Sequence, residues 1–442
     1  MKIIEERIAA QLPLWRERVN HLRGKSGDFK VCDVTVSQIY SGIRGVQIQV
    51  SDISYVDPKE GIRIRGFTID ELMQELPKAR DTKNPMAGGL YFLLLTGDLP
   101  SQAEAMAVEE EWQHRCLIPT YVFNSIRRMP PDTHPMTLLS MGIMALQRES
   151  VFARKYAEGA NKQDHWRFYL EDAMNLTAKL PGLAAFIYNL RYQDGIYIPP
   201  NPDLDWGANF GYMIDRLKDP DYYDLCRLFF FLHSDHEGAN VSAHTSHLVS
   251  SALSDVYLSC SAGINGLAGP LHGLANQECL KWLLDIRDQF NGYPTQPQLE
   301  QYLRSLLANG EMIPGYGHAV LRITDPRFTA QLNFAHENIK DDPLIDLVEM
   351  VYNTLPPLLM EKGKVNNPWP NVDAINGALQ YHYGVTQFDF YTVLFGISRI
   401  LGITAHIVWA RALLKPIERP KSLTTDMLEA MVTQNEKANG VN

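Results

Sequence analysis

The chain has 442 residues, 45% of them hydrophobic, and carries 41 Lys plus Arg against 51 Asp plus Glu for a formal net charge of -10. That composition supports large cores and, at roughly 150 residues per domain, two or three units, and it excludes a disordered or fibrous chain. The acidic balance argues against nucleic-acid or membrane-surface partners, both polyanions, so an anionic ligand must meet positive charge concentrated locally.

The amino-terminal stretch lacks an apolar secretory core and carries Glu5 and Glu6, which transit peptides avoid, so a cytoplasmic location is expected. Cys32, Cys116, Cys226, Cys260 and Cys279 form no C-x-x-C pair and leave an odd count, which fits a reducing compartment. Ile4, Ile8, Leu12, Trp15, Val19 and Leu22 recur at helical steps, with Pro13 expected to open a second helix at its first turn. That spacing returns in most long segments and predicts an all-α chain. The exception is residues 46–66, where VQIQV and IRIRG alternate around Asp57, Pro58 and Gly61 and predict one minor β-hairpin. Breakers at 130–135, 198–206, 291–297 and 366–370 predict loops between helices, and no repeat period suggests a solenoid.

The segment HSDHEGANVSAHTSH holds His233, His236, His244 and His247. Imidazoles three apart can share a helical face, so a metal-dependent hydrolase built on these four is one alternative, although no cysteine joins them and the H-E-x-x-H order is missing. Further on, three ionisable groups 46 and 55 residues apart sit among glycines and prolines: His272 in GPLHGLANQE, His318 in PGYGHAVLRITDPR and Asp373 in NPWPNVDAINGA. Such turns mount catalytic groups, and two imidazoles with a carboxylate suggest general acid and base chemistry. His272 is expected at a helix N-terminus, whose dipole would keep the ring neutral and able to polarise a carbonyl. Arg322 and Arg327 after His318 read as an anion clamp, and Asp373 reads either as a base made stronger by an apolar pocket or as a helix N-cap. Residues 393–414 are almost wholly apolar but contain Arg399, His406 and Arg411, which favours a buried core helix over a membrane span. A buried Arg399 needs an anionic partner, either a structural acid or a substrate carboxylate.

Together, SDHEGANVSAHTSH, GLAGPLHGLANQE, PGYGHAVLRITDPR, NPWPNVDA, FGISR and ERPKS resemble citrate synthase across about Arg44 to Ser422, most closely the long eukaryotic-type (si) form. The resemblance implies an all-α, two-domain homodimer: a large domain at 1–273 and 385–442, and a small CoA-binding domain at 274–384 that closes over the site. It implies condensation of acetyl-CoA with oxaloacetate and hydrolysis to citrate and CoA, with no cofactor beyond these substrates and no metal. By resemblance, His272, His318 and Asp373 are catalytic. His236, Arg327, Arg399 and Arg419 bind oxaloacetate, with Arg419 lent across the dimer interface. Arg44, Lys162, Arg322 and Lys364, with Pro314, Gly315, Tyr316, Gly317 and Asn371, bind CoA. Lys162 stands where an arginine is usual and Asn366 where a second lysine is, so CoA contacts are expected to be redistributed. The nearest rival is 2-methylcitrate synthase acting on propionyl-CoA, since one methyl group is worth only about 1–3 kcal/mol of discrimination. A noncatalytic CoA-binding protein is a third possibility.

Overall fold

The computed structural model describes residues 1–214, 218–363 and 366–438. Among these, twenty α-helices, two 3-10 turns and one three-stranded antiparallel sheet account for the regular structure, so the all-α expectation holds. The first helix differs from expectation. It runs unbroken over Lys2–Ser26 through Pro13, because Ile4, Ile8 and Leu12 bury one face while Pro13 lies exposed, where the missing amide hydrogen is tolerated.

The β element also differs. VQIQV forms no strand; instead β1 (Ser54–Asp57) pairs with β2 (Gly61–Ile64), Ser54 opposite Ile64 and Asp57 opposite Gly61, and β3 (Phe67–Thr68) extends the sheet. The turn is set by Asp57, whose Oδ1 accepts the amides of Lys59 at 2.7 Å and Glu60 at 3.0 Å. VQIQV has the right alternation but meets no partner strand, and its Ile48 and Val50 stay exposed.

Seven helices position the chemistry: α1 (Pro220–Leu232), α2 (Val241–Ser251), α3 (Val256–Leu267), α4 (Ala275–Gln289), α5 (Pro326–Asn338), α6 (Asp373–His382) and α7 (Phe388–Ala412). Long and apolar enough to cross a membrane, α7 has 94% of its apolar window buried inside the protein, so it is the core helix the sequence suggested. Its glycines admit close neighbours: a Cβ on Gly396 would lie 3.0 Å from Ile264, and one on Gly402 only 2.4 Å from the Asp235 carboxylate. Helices α4 and α6 pack chiefly on each other and on the helix Pro343–Glu361, while α5 packs on α6, on α1 and on the helix Ile69–Glu75. The first turns of α4 and α6 nearly touch, since a Cβ on Gly377 would sit 2.8 Å from both Asn276 Oδ1 and Leu280 Cβ. That approach brings the start of α6, with Asp373, and the turn before α4, with His272, to one region.

Candidate active site

His272 lies in the turn between α3 and α4, pinned where Thr392 Oγ1 of α7 donates to the Gly273 carbonyl at 3.1 Å. Its Nε2 is 3.3 Å from the Ser242 amide and 3.0 Å from the Ser242 hydroxyl. A backbone amide can only donate, so Nε2 holds the lone pair and the hydrogen is assigned to Nδ1. The helix end that meets His272 is therefore the start of α2, not of α4. Burial, with Arg399 second, pulls its pKa down to about 4 and keeps the ring neutral.

The His318 and Asp373 loops are stitched together by backbone. Gly317 N donates to Trp369 O at 3.1 Å, Asn371 N to Gly315 O at 2.9 Å, and Asp325 N to Pro370 O at 3.1 Å. Asn371 Nδ2 adds a bond to Gly317 O at 3.1 Å. Gly315 has φ +78°, and a Cβ there would lie 2.9 Å from both Ala374 Cα and Cys279 Sγ, so the crossing requires glycine. His318 Nδ1 accepts two amides, Val320 and Leu321, each at 3.0 Å, which assigns its hydrogen to Nε2. Burial and then Arg327 lower its pKa.

Asp373 is the first residue of α6, and its side chain caps nothing; Asn371 Oδ1 instead accepts the Asp373 amide at 3.0 Å. The N-cap alternative therefore falls away. Burial raises the Asp373 carboxyl to about 6, against the opposing pull of Arg327 and with Asp325 adding to the rise.

Two guanidiniums face this group. Arg327 is buried against Asp325, with Nε 3.1 Å from Oδ1 and Nη2 2.7 Å from Oδ2. Arg399, 2% exposed, donates Nε to the His233 carbonyl at 3.1 Å and lies 4.7 Å over the Phe395 ring. Among the described residues no carboxylate comes within ion-pair distance of Arg399, and burial pulls its pKa to about 10. The His236 ring is 5.9 Å from that of His318 and is held well below the usual histidine range by burial and by Arg327 and Arg399. The result is a set of neutral imidazoles and one weakly acidic carboxyl around two buried cations, an arrangement suited to a dianion and to proton transfer beside it.

The four-histidine alternative does not assemble. His233 is buried with Nδ1 3.0 Å from Phe229 O and Nε2 3.1 Å from Asn376 Nδ2, leaving no free lone pair. His244 Nε2 is 2.8 Å from Glu418 Oε1 and His247 is 3.8 Å from the same carboxylate. Among the described residues no group of three or more His, Cys, Asp or Glu is placed to hold a metal ion.

Arg44, Lys162 and Arg419 are exposed and make no side-chain bond to this cluster among the described residues. Arg322, also exposed, spends Nη1 on its own turn, at 2.8 Å from Val320 O and 2.7 Å from Leu321 O. Pro314, Tyr316 and Gly317 are half-buried beside the cluster; Lys364 lies outside the described residues. Sequence reasoning missed the supports. Ser54 of β1 donates to Asp235 Oδ2 at 2.6 Å and accepts the Glu237 amide at 2.8 Å, while Pro58 O accepts the Arg322 amide at 2.8 Å. The minor sheet thus braces both the His236 and the His318 loops. Asp325 was legible, as the acid two residues before Arg327; Ser54 and Ser242 left no local signal.

Residues 42–421 match the family model described as citrate synthase, C-terminal domain. A probable mitochondrial citrate synthase of Glossina morsitans morsitans is 48% identical over 96% of this chain and 91% of its own, and the mitochondrial citrate synthase of Xiphias gladius is 46% identical over 97% and 92%. The crystal structure of citrate synthase from Pyrobaculum aerophilum superposes with TM-score 0.76 at 26% identity, covering 87% of this chain and 92% of that one. The Thermoplasma acidophilum enzyme, solved as a ternary complex with carboxymethyl-coenzyme A and oxaloacetate, shares the fold at TM-score 0.73 and 20% identity, over 87% and 95% of the two chains. The relatives' names correct one expectation: they point to mitochondria, which overturns the cytoplasmic placement drawn from Glu5 and Glu6.

Proposed function

The chain belongs to the citrate synthase family and is a citrate (si)-synthase, and from that premise we propose how its residues divide the condensation of acetyl-CoA with oxaloacetate. Asp373 removes a proton from the acetyl methyl group while His272 donates its Nδ1 hydrogen bond to the thioester oxygen, so the enol forms without a free enolate. The enol carbon attacks the oxaloacetate ketone, whose oxygen takes the proton of His318 Nε2. Water then cleaves the citryl thioester to citrate and CoA. Arg327, Arg399 and His236 hold the two oxaloacetate carboxylates. The observation that carries this reading is Arg399: a buried guanidinium that makes no ion pair among the described residues, near a carboxyl held at about 6.

An acid limb follows. Asp373 must be ionised to accept a proton, so kcat should fall as pH drops through about 6, with the plateau on the alkaline side. A kcat profile flat from pH 8 to 5 would contradict the assignment.

We infer further that 274–384 is a mobile unit carrying Arg322, Lys364, Asn371 and Pro314 to Gly317 onto CoA, with 1–273 and 385–442 as the larger one and Arg44 and Lys162 contributing phosphate contacts. A homodimer is supported by apolar side chains at both ends that stay exposed among the described residues, including Phe29, Val31, Ile48, Val50, Met427 and Met431. Glu418, held inward by His244, leaves the neighbouring Arg419 exposed and available to the partner subunit's site. Arg419→Ala should lower kcat/KM roughly a hundredfold without unfolding the protein. Mixed dimers of Arg419→Ala and Asp373→Asn chains should recover one working site, and no recovery would refute sharing. The relatives support a mitochondrial location. Comparing kcat/KM for acetyl-CoA and propionyl-CoA tests the substrate: preference for acetyl-CoA supports citrate synthesis, and preference for propionyl-CoA overturns it.

A further inference from the structure

We propose that Asn376 is a positioning residue for the condensation: through one hydrogen bond to His233 it ties the helix carrying Asp373 to the segment that holds Arg399, fixing base and dicarboxylate site relative to each other. This rests on the assignment of Asp373 as base.

The geometry is specific. Asn376 lies one turn after Asp373 on α6 and is 1% exposed, so the two move as one rigid piece. Its Nδ2 is 3.1 Å from His233 Nε2. His233 follows α1 and is fixed on every side. Its ring stacks on Phe229 at 4.2 Å and meets Phe395 edge-on at 5.4 Å, its Nδ1 is 3.0 Å from Phe229 O, and its own carbonyl accepts Arg399 Nε at 3.1 Å. Because Phe229 O can only accept, the ring hydrogen is on Nδ1, Nε2 is a lone pair, and only a donor such as the Asn376 amide can occupy it. The chain of contacts runs from Asp373 along α6 to Asn376, across to His233, and through its backbone to Arg399. Burial next to Arg327 and Arg399 keeps His233 neutral, so this tautomer persists across the working range. Asn376 Oδ1 has no hydrogen-bond partner among the described residues, so the bond from Nδ2 sets the amide's orientation.

No other part of the site uses these groups. Among the described residues His233 hydrogen-bonds to the site through its carbonyl, and Asn376 bonds to none of the groups assigned to the chemistry; both act through others. The tie also crosses between the helices 275–382 and the rest of the chain, where a shift of a fraction of an ångström would misplace the base.

The test uses Asn376→Leu, close in shape but without the donor, in the full-length enzyme. Steady-state kcat should fall at least tenfold with the KM for oxaloacetate changed less than threefold, and the acid limb of kcat should move to lower pH as Asp373 gains water. His233→Gln, which can present a carbonyl oxygen to the same amide, should retain more kcat than His233→Phe, and this pair tests the tie if Asn376→Leu does not fold. A lower melting temperature with unchanged kcat and acid limb would overturn the proposal, leaving Asn376 a packing residue. Asp373→Asn is the control: if it retains oxaloacetate-dependent thiol release, the base assignment fails whatever Asn376 does. If it is inactive while Asn376→Leu behaves as wild type, only the tie fails.

Discussion

Asp373→Asn should lower kcat for citrate formation roughly 100- to 10,000-fold, the range for losing a positioned general base, while making the protein more stable at neutral pH. The two effects share one cause. Desolvation beside Ala374 and the α4 packing raises the carboxyl to about 6, and a base near that value is strong enough to accept a proton yet ionised at physiological pH. The sign of the stability effect follows. An unfolded Asp titrates near 3.9 and the folded one near 6, so the fold favours the protonated form. That stabilisation is present below about pH 4 and lost as pH rises through about 6, above which the ionised carboxylate is a net cost. The amide cannot ionise, so the variant's melting temperature should exceed wild type at pH 7 to 8, and the advantage should vanish below pH 4. Equal melting temperatures across this range would show that Asp373 is solvated.

Arg399→Leu should lower kcat/KM for oxaloacetate by thirtyfold to several thousandfold, since truncating one partner of a buried, hydrogen-bonded charge pair costs about 2–5 kcal/mol. Its effect on the substrate-free protein should be small. Arg399 is buried with no carboxylate at ion-pair distance among the described residues, and burial pulls its pKa to about 10, so without substrate its charge already carries a desolvation cost. Leucine removes that cost and loses the Nε bond to His233 O. Oxaloacetate should raise the melting temperature of the wild type and not of the variant, by linkage. A variant destabilised without substrate yet still protected by oxaloacetate would place the carboxylate elsewhere.

Most of the site was legible because its groups sit on short glycine- and proline-rich turns, where local sequence dictates local backbone. His272, His318 and Asp373 are such cases, Arg327 directly follows the Asp325-Pro326 start of α5, and Arg399 stood out as a cation within the unbroken apolar run of α7. What was not legible depends on partners distant in sequence. VQIQV alternates like a strand, yet β2 pairs with Ser54–Asp57, because register is decided by which segment reaches the edge. Pro13 suggests a helix start by local propensity, but the buried stripe of Ile4, Ile8 and Leu12 carries the helix through it. The lowered pKa of His272 was foreseen, but its cause is burial and Arg399, with its hydrogen bond from α2, thirty residues earlier in the chain. The H-x-x-H pairs were the misleading pattern: spacing put His244 and His247 on one face, and what they share is Glu418.

The division of labour among Asp373, His272 and His318 is tested most directly by exchange of the acetyl methyl protons of acetyl-CoA with deuterated water. The experiment is run with a four-carbon hydroxy dicarboxylate that fills the oxaloacetate site but offers no ketone to attack. The wild type should exchange those protons, Asp373→Asn should not, and His318→Gln should retain exchange while losing condensation with oxaloacetate. Undiminished exchange in Asp373→Asn would contradict the assignment of Asp373 as the base.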